Sequence, residues 1–236
     1  MLMRVELISY TKDADAISAS SALGCADPRP TYSILEDMNE GMAGAILDVV
    51  LPSGHHSVIE HSSYTFSVEG VSRSLTHQLV RHRVASFSQQ SQRYIRFDTP
   101  DFIIPPKVER NPEARELFLK AMDRVWKEYN TLVAQGIPEE DARYVLPNAA
   151  ANNITITMNA RELLHFFKIR CCTRAQWEIR DLADRMLALV KPTAPRVFRD
   201  AGASCVALGY CPETECCGLA PRLDDIKQAY ENQQKS

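Results

Sequence analysis

The sequence predicts a mixed α/β (α+β) protein, on three observations. Residues 4–11, 62–69 and 153–158 alternate apolar and polar side chains with the period of a strand. Longer segments between and after them carry apolar residues at helical spacing. The two kinds of element do not alternate regularly, and neither a Gly-x-Gly-x-x-Gly turn nor a Walker-type loop is present. A phosphate-bearing ligand would therefore be held by side chains rather than by a glycine loop.

The elements follow in order. In the first strand Val5, Leu7 and Ser9 oppose Arg4, Glu6 and Ile8. Residues 13–23 are rich in Ala and Ser and predict a short helix with Asp13 as its N-cap. Leu35, Met38, Met42, Ile46 and Val49 predict one helix over 34–51, stopped by Pro52-Ser53-Gly54. In the second strand Tyr64, Phe66 and Val68 share a face until Gly70 breaks it. Val71, Leu75 and Leu79 then predict a helix delivering the chain to Arg81. Asn111-Pro112 opens a long amphipathic helix and Gly136 closes it. The acids at 139–141 suit the first turn of another helix, ending before Pro147. Ile154, Ile156 and Met158 face away from Thr155 and Thr157 in the last strand. Asn159 caps the helix that follows, and a final long helix covers 175–190.

Composition excludes several classes. A net charge of −3 argues against a broad basic face for nucleic acid. No window approaches the roughly 18 apolar residues of a membrane span, and the N-terminus has no signal-peptide pattern, so a cytoplasmic protein is expected. Seven Cys, an odd number, read as reduced thiols rather than a disulfide framework.

Against that background residues 81–94, Arg-His-Arg-Val-Ala-Ser-Phe-Ser-Gln-Gln-Ser-Gln-Arg-Tyr, stand out. They combine three Arg with Ser and Gln and contain no acid. A solvated surface turn would fill such gaps with Glu and Lys. Guanidinium forks with hydroxyl and amide neighbours instead suit a small anion, phosphate or carboxylate. His55, His56 and His61 lie within seven residues, but no Cys joins them and only Glu60 offers a carboxylate. That loop reads as hydrogen-bonding a ligand, not as a zinc site. Cys205, Cys211, Cys216 and Cys217 lack the paired knuckle spacing of structural zinc, and we predict no metal. On the helix after Asn159, Arg161 and His165 share a face, whereas Arg170 lies about 140° round from His165. One pocket could hardly use both faces; two pockets, or one built from several subunits, could.

The Arg-His-Arg, seven residues, Ser-x-Arg pattern of residues 81–93 resembles the signature of the flavin-dependent thymidylate synthases, the ThyX family. Three further segments agree: Gly54-His55-His56-Ser57 with Glu60-His61, Ala142-Arg143 with Val145-Leu146-Pro147, and Asn159-Ala160-Arg161 through Arg170 to Ala175-Gln176-Trp177-Glu178-Ile179-Arg180. The resemblance covers roughly residues 5–198. It implies a central, mainly antiparallel sheet flanked by helices and a homotetramer with active sites where subunits meet. It also implies synthesis of dTMP from dUMP, with methylenetetrahydrofolate as one-carbon donor, FAD as cofactor and NADPH as its reductant. Residues 1–203 would be the catalytic domain and 204–236 a Cys-rich segment with a polar tail.

Residue by residue, the resemblance gives Ser57, Arg81, His82, Arg83, Gln89, Asn159, Arg161 and His165 as flavin contacts. Gln78, Arg81, Gln89, Ser91, Arg93, Arg143 and Arg170 are similar to the dUMP set, with His55 and Tyr94 close to flavin and substrate. Arg170 corresponds to an arginine held against the uracil. Gln89 stands where some members have Glu, and His165 where some have Asn. The Cys-rich tail has no counterpart in the shared pattern. Ser91 also invites a reading as nucleophile, but Gln90, Gln92 and Arg93 supply no general base. An RNA- or phosphoprotein-binding module would predict no chromophore and no turnover. A hydrolase using the histidines or tail cysteines would predict stoichiometric zinc.

Overall fold

A computed structural model describes residues 3–233. In chain order the elements are β1 (Arg4–Tyr10), α1 (Ala14–Leu23), α2 (Thr31–Glu36), α3 (Glu40–Val50), a 3-10 turn (His56–His61), β2 (Ser63–Ser72), α4 (Arg73–Leu79) and β3 (Ala85–Gln89). They continue with α5 (Pro106–Glu109), α6 (Pro112–Ala134), α7 (Glu139–Ala142), a 3-10 turn (Arg143–Val145), β4 (Ala151–Asn159), α8 (Ala160–Arg170) and α9 (Trp177–Val190). A 3-10 turn (Lys191–Thr193), α10 (Ser204–Leu208) and α11 (Leu223–Gln233) end the described chain. The last three residues of the expected polar tail, 234–236, lie outside the described residues. Among the described residues, no helix is long and apolar enough to cross a membrane.

The strands form one sheet in the order β1-β2-β4-β3. Each pair is antiparallel, because one strand leaves where its neighbour enters. Thr11 N–H donates to Ser63 O at 3.0 Å, Arg73 N–H to Ala150 O at 3.1 Å and Gln90 N–H to Asn153 O at 2.9 Å. Tyr64, Phe66 and Val68 of β2 and Ile154, Ile156 and Met158 of β4 are buried, as the alternation required.

Four expectations are corrected. Asp13 does not cap α1: its φ of 52° is left-handed and its side chain accepts no cap hydrogen bond. The single helix over 34–51 is two, because the Asn39 carboxamide accepts from Met42 N–H at 3.0 Å and starts α3 afresh. Gly70 does not end β2; it takes a φ of 65° inside the strand, and its N–H turns to the Asn153 side chain at 3.2 Å. Finally β3 lies inside the arginine-rich stretch, which was expected to be only a helix end. Its hydroxyls and amides hide the period-2 pattern that Ala85 and Phe87 carry.

The contacts divide the chain into two units. The first holds residues up to Glu6 together with Phe66–Ile156. Besides the sheet face it has a cluster in which Met122, Trp126 and Ala150 are buried beneath Phe102, Phe118 and Leu146, with Phe102 and Trp126 centroids 5.9 Å apart. The α6 helix supplies it because Asn111 caps and Pro112 occupies the first turn, as predicted. The second holds Leu7–Thr65 and the chain from Thr157 onward. Its core stacks aromatic rings edge to face, Tyr64 on Phe198 at 5.4 Å and Phe198 on Phe167 at 6.3 Å.

Candidate functional site

In the first unit, the Ser72 hydroxyl accepts from Leu75 N–H at 3.0 Å and starts α4, which buries Leu75, Thr76 and Leu79. That anchored helix presents Arg81, His82 and Arg83 at its end; the two arginines are exposed and His82 is buried. Gln78 bonds Ser74 O of its own helix at 3.3 Å. From β3 the Gln89 amide donates to Thr76 Oγ1 at 3.0 Å and to Asn152 Oδ1, so its nitrogen is engaged and its oxygen is the atom left to meet a ligand.

Beyond β3 the chain turns at Ser91, whose hydroxyl accepts from Arg93 N–H at 3.2 Å. Arg93 places Nε and Nη2 on Glu140 Oε2, both at 2.9 Å, and its Cζ lies 5.4 Å from the Tyr94 ring centroid. Arg143 donates Nε–H to the Glu140 carbonyl at 3.0 Å. Glu140 thus gathers Arg93 and Arg143 through its two ends. Arg73 joins them: burial first, and the Arg143 charge second, hold its pKa below the ordinary arginine value. The sequence reading missed Arg73, whose only signal was its place at the start of α4. A half-exposed ion pair such as Arg93–Glu140 is worth little in water. A phosphate dianion can displace the carboxylate at small cost.

In the second unit His55 precedes the 3-10 turn and is exposed, as is Ser57, and His56 Nε2 contacts Leu51 O at 3.2 Å. Asn159 caps α8 as expected, its side chain accepting from Glu162 N–H at 2.9 Å. Arg161, on the first turn, pairs with Glu60. The last turn carries Lys168 and Arg170, where the helix dipole favours cations. Burial lowers the Arg170 pKa, a sign that its guanidinium has lost part of its water.

Arg170 and His165 line the same cavity of about 300 Å³ within one chain, which corrects the expectation that both faces could be used only by two pockets or by one built from several subunits. At the end of a helix the lining wraps around the terminus, and Lys168, Arg174, Ser204 and Glu213 complete it. Lys168, Arg170 and Arg174 against the single acid Glu213 make it electropositive. Lys168, Arg174 and Glu213 were not singled out by the sequence reading, for lack of a motif. Asn159, Arg161, His55 and Ser57 do not line this cavity. A larger cavity of about 520 Å³ in the same unit, around Asp15, Leu35 and Arg196, contains no predicted site residue. Two of its charged groups are already engaged: Asp15 accepts from the amides of Arg196 and Val197 at 2.9 and 3.0 Å, and Arg196 pairs with Asp48 at 3.4 Å.

An antiparallel sheet with helices, bearing arginine grips and no glycine phosphate loop, is the equipment of an enzyme acting on a small phosphorylated substrate. A family model described as thymidylate synthase complementing protein matches residues 6–196. The flavin-dependent thymidylate synthase of Geobacter sulfurreducens is 49% identical over 224 residues, covering 94% of this chain and 96% of that one. That of Clostridium tetani is 44% identical over 243 residues, covering 96% and 97%. Among solved structures, a UMP/dUMP methylase, PolB from Streptomyces cacaoi, bound with 5-Br dUMP, superimposes with a TM-score of 0.73 at 25% identity, covering 84% of this chain and 93% of that one. The chain belongs to the family of flavin-dependent thymidylate synthases.

Proposed function

We propose that the protein methylates dUMP to dTMP, with methylenetetrahydrofolate as one-carbon donor and NADPH as the source of electrons. The observation that carries this reading is the pair of arginines, Arg93 and Arg143, gathered by Glu140 beside the Ser91 turn. Two forks and a hydroxyl suit a nucleotide monophosphate, and the solved relative holds a dUMP analogue. Gln78, Gln89 and Arg81 then meet the nucleoside, with Gln89 accepting through its oxygen. Arg170 faces the pyrimidine, where negative charge grows as C5 becomes nucleophilic, and a fixed, partly dehydrated guanidinium stabilises that charge.

FAD, once bound and reduced by NADPH, would supply the hydride for the reduction. The donor set fits an anionic dinucleotide: exposed Arg81 and Arg83 for phosphate, the Ser57 hydroxyl, and the Arg161 and His165 side chains on one face of α8. His82, Gln89 and the Asn159 amide nitrogen complete the proposed flavin set, with His55 and Tyr94 close to flavin and substrate. Because Arg161 is paired with Glu60 and Asn159 caps α8, both are oriented in advance.

Assembly as a homotetramer, with active sites where subunits meet, follows the same reading. It is supported by apolar side chains left in water around the arginine-rich stretch: Val84 is 64% exposed, Tyr94 80% and Tyr144 83%. Residues 1–203 form the catalytic portion in this reading. Seven free thiols suit a reducing cytoplasm. The test is product analysis: incubation with dUMP, methylenetetrahydrofolate, FAD and NADPH yields dTMP, omission of any one abolishes it, and no dTMP in the complete mixture overturns the reading.

A further inference from the structure

The cavity around Arg170 is walled in part by a distant piece of chain. Ser204 and Glu213 line it beside His165, Lys168, Arg170 and Arg174. Three side chains from the same segment hold the loop that follows Arg170. Arg174 Nε lies 3.6 Å from the Glu213 carboxylate, and Arg174 Nη1 lies 3.8 Å from that of Glu215. The same nitrogen donates to the Glu215 carbonyl at 3.5 Å. The Cys217 thiol faces Thr173, whose hydroxyl is the first of the influences that hold its pKa below the usual thiol value.

The segment keeps its shape without a core of its own, since none of residues 202–232 is buried. Polar contacts knit it instead. Cys211 N–H donates to Pro221 O at 2.8 Å, Arg222 Nη2 to Thr214 O at 2.9 Å, and Gly218 N–H to Cys216 Sγ at 3.3 Å. A chain folded on its own turns presents two carboxylates and a thiol to two neighbouring residues, Thr173 and Arg174. Those residues sit three and four positions after Arg170, the last residue of α8, and Arg174 lines the same cavity.

We propose that residues 213–217 position Arg170 for the reaction by clamping the loop that follows it, with Glu213 and Glu215 as the positioning carboxylates. This rests on the reading of Arg170 as the group that stabilises charge on the pyrimidine. The clamp acts on orientation in the transition state rather than on nucleotide binding, which places its effect in kcat and not in KM. Both ion pairs are solvent-exposed, so each alone is weak and the pair together counts.

The experiment compares the full-length parent with the Glu213→Gln/Glu215→Gln double variant, and each of these in an Arg170→Ala background. The expected result is a kcat for dTMP formation lower by roughly five- to tenfold, corresponding to about 1 kcal/mol in the barrier. KM for dUMP, flavin content and Tm stay unchanged, and a Glu213→Asp/Glu215→Asp variant recovers most of the rate. In the Arg170→Ala background the carboxylate changes cost nothing further, as a shared pathway demands. An unaltered kcat overturns the proposal, as does the same fold loss with and without Arg170, which would mark a purely structural role. If the double variant loses its cooperative melt, Cys217→Ala, which removes the thiol beside Thr173, replaces it with the same expectations. A parent that makes no dTMP removes the functional reading and this proposal together; an active parent with unchanged variants removes the proposal alone.

Discussion

Arg93 and Arg170 belong to different units and are held in different ways. Arg93 leaves an irregular turn, is 50% exposed, and rests on Glu140 and Tyr94, both of which a ligand can displace or share. Arg170 closes a capped helix, sits among Lys168, Arg174 and His165, and has lost enough water to lower its pKa. The first arrangement suits grip: a flexible fork with a replaceable carboxylate exchanges one anion for another. The second suits field: a cation fixed in a partly dry site raises the value of any negative charge that develops beside it. Two arginines, one inside the family signature and one beyond it, thus suit separate jobs, and the separation can be measured.

The largest effect should come from Arg170→Ala. We expect turnover to fall by about 100- to 1,000-fold, the range found on removing one preorganised stabiliser of transition-state charge. Flavin content should match the parent. A variant with full turnover would erase the distinction between field and grip.

Next in size, Arg93→Ala should raise KM for dUMP roughly 10- to 100-fold, because a charge-assisted hydrogen bond contributes about 1.5–3 kcal/mol. The kcat at saturating dUMP should change little. Equal dUMP affinity in isothermal titration would contradict the phosphate role.

The contrast also explains what could be read from the residues alone. The arginine grips were legible because a signature of Arg, Ser and Gln without acids has few structural uses, and the caps at Asn111 and Asn159 were legible because capping is local chemistry. Glu140 was read only as a helix-start acid, since its link to Arg93 spans 47 residues and no periodicity reports such a contact. Helical spacing also argued that His165 and Arg170 could hardly share one pocket unless several subunits built it. That argument holds in the middle of a helix and fails at its end, where one cavity can wrap around the terminus. β3 escaped notice because polar side chains on both faces hide a strand that pairs along only one of its edges.

Smaller effects probe the scaffold under the second unit. Burial pushes the Tyr64 hydroxyl up to about 12 from 10, with the nearby Thr193 hydroxyl offsetting only part of the rise. The neutral phenol is the form that fits the folded state. Its contribution is therefore complete below the unfolded value and lost as pH climbs through the folded one. Between pH 10 and 12 the parent should lose roughly 2–3 kcal/mol on this account, and Tyr64→Phe should lose less. Parallel alkaline denaturation curves for the two proteins would contradict it. Asn159→Ala should cost about 1 kcal/mol through the α8 cap, lowering Tm by a few degrees, and a Tm equal to the parent's would show the cap to be dispensable.

The central claim, that these residues serve a flavin-dependent synthesis of dTMP, is tested most directly by the visible absorption spectrum of the protein incubated with FAD and freed of excess. Flavin bands that travel with the protein, and bleach on anaerobic addition of NADPH with dUMP, are the predicted result. A protein that remains colourless after incubation would contradict the account and leave the arginine-rich stretch as a plain anion site.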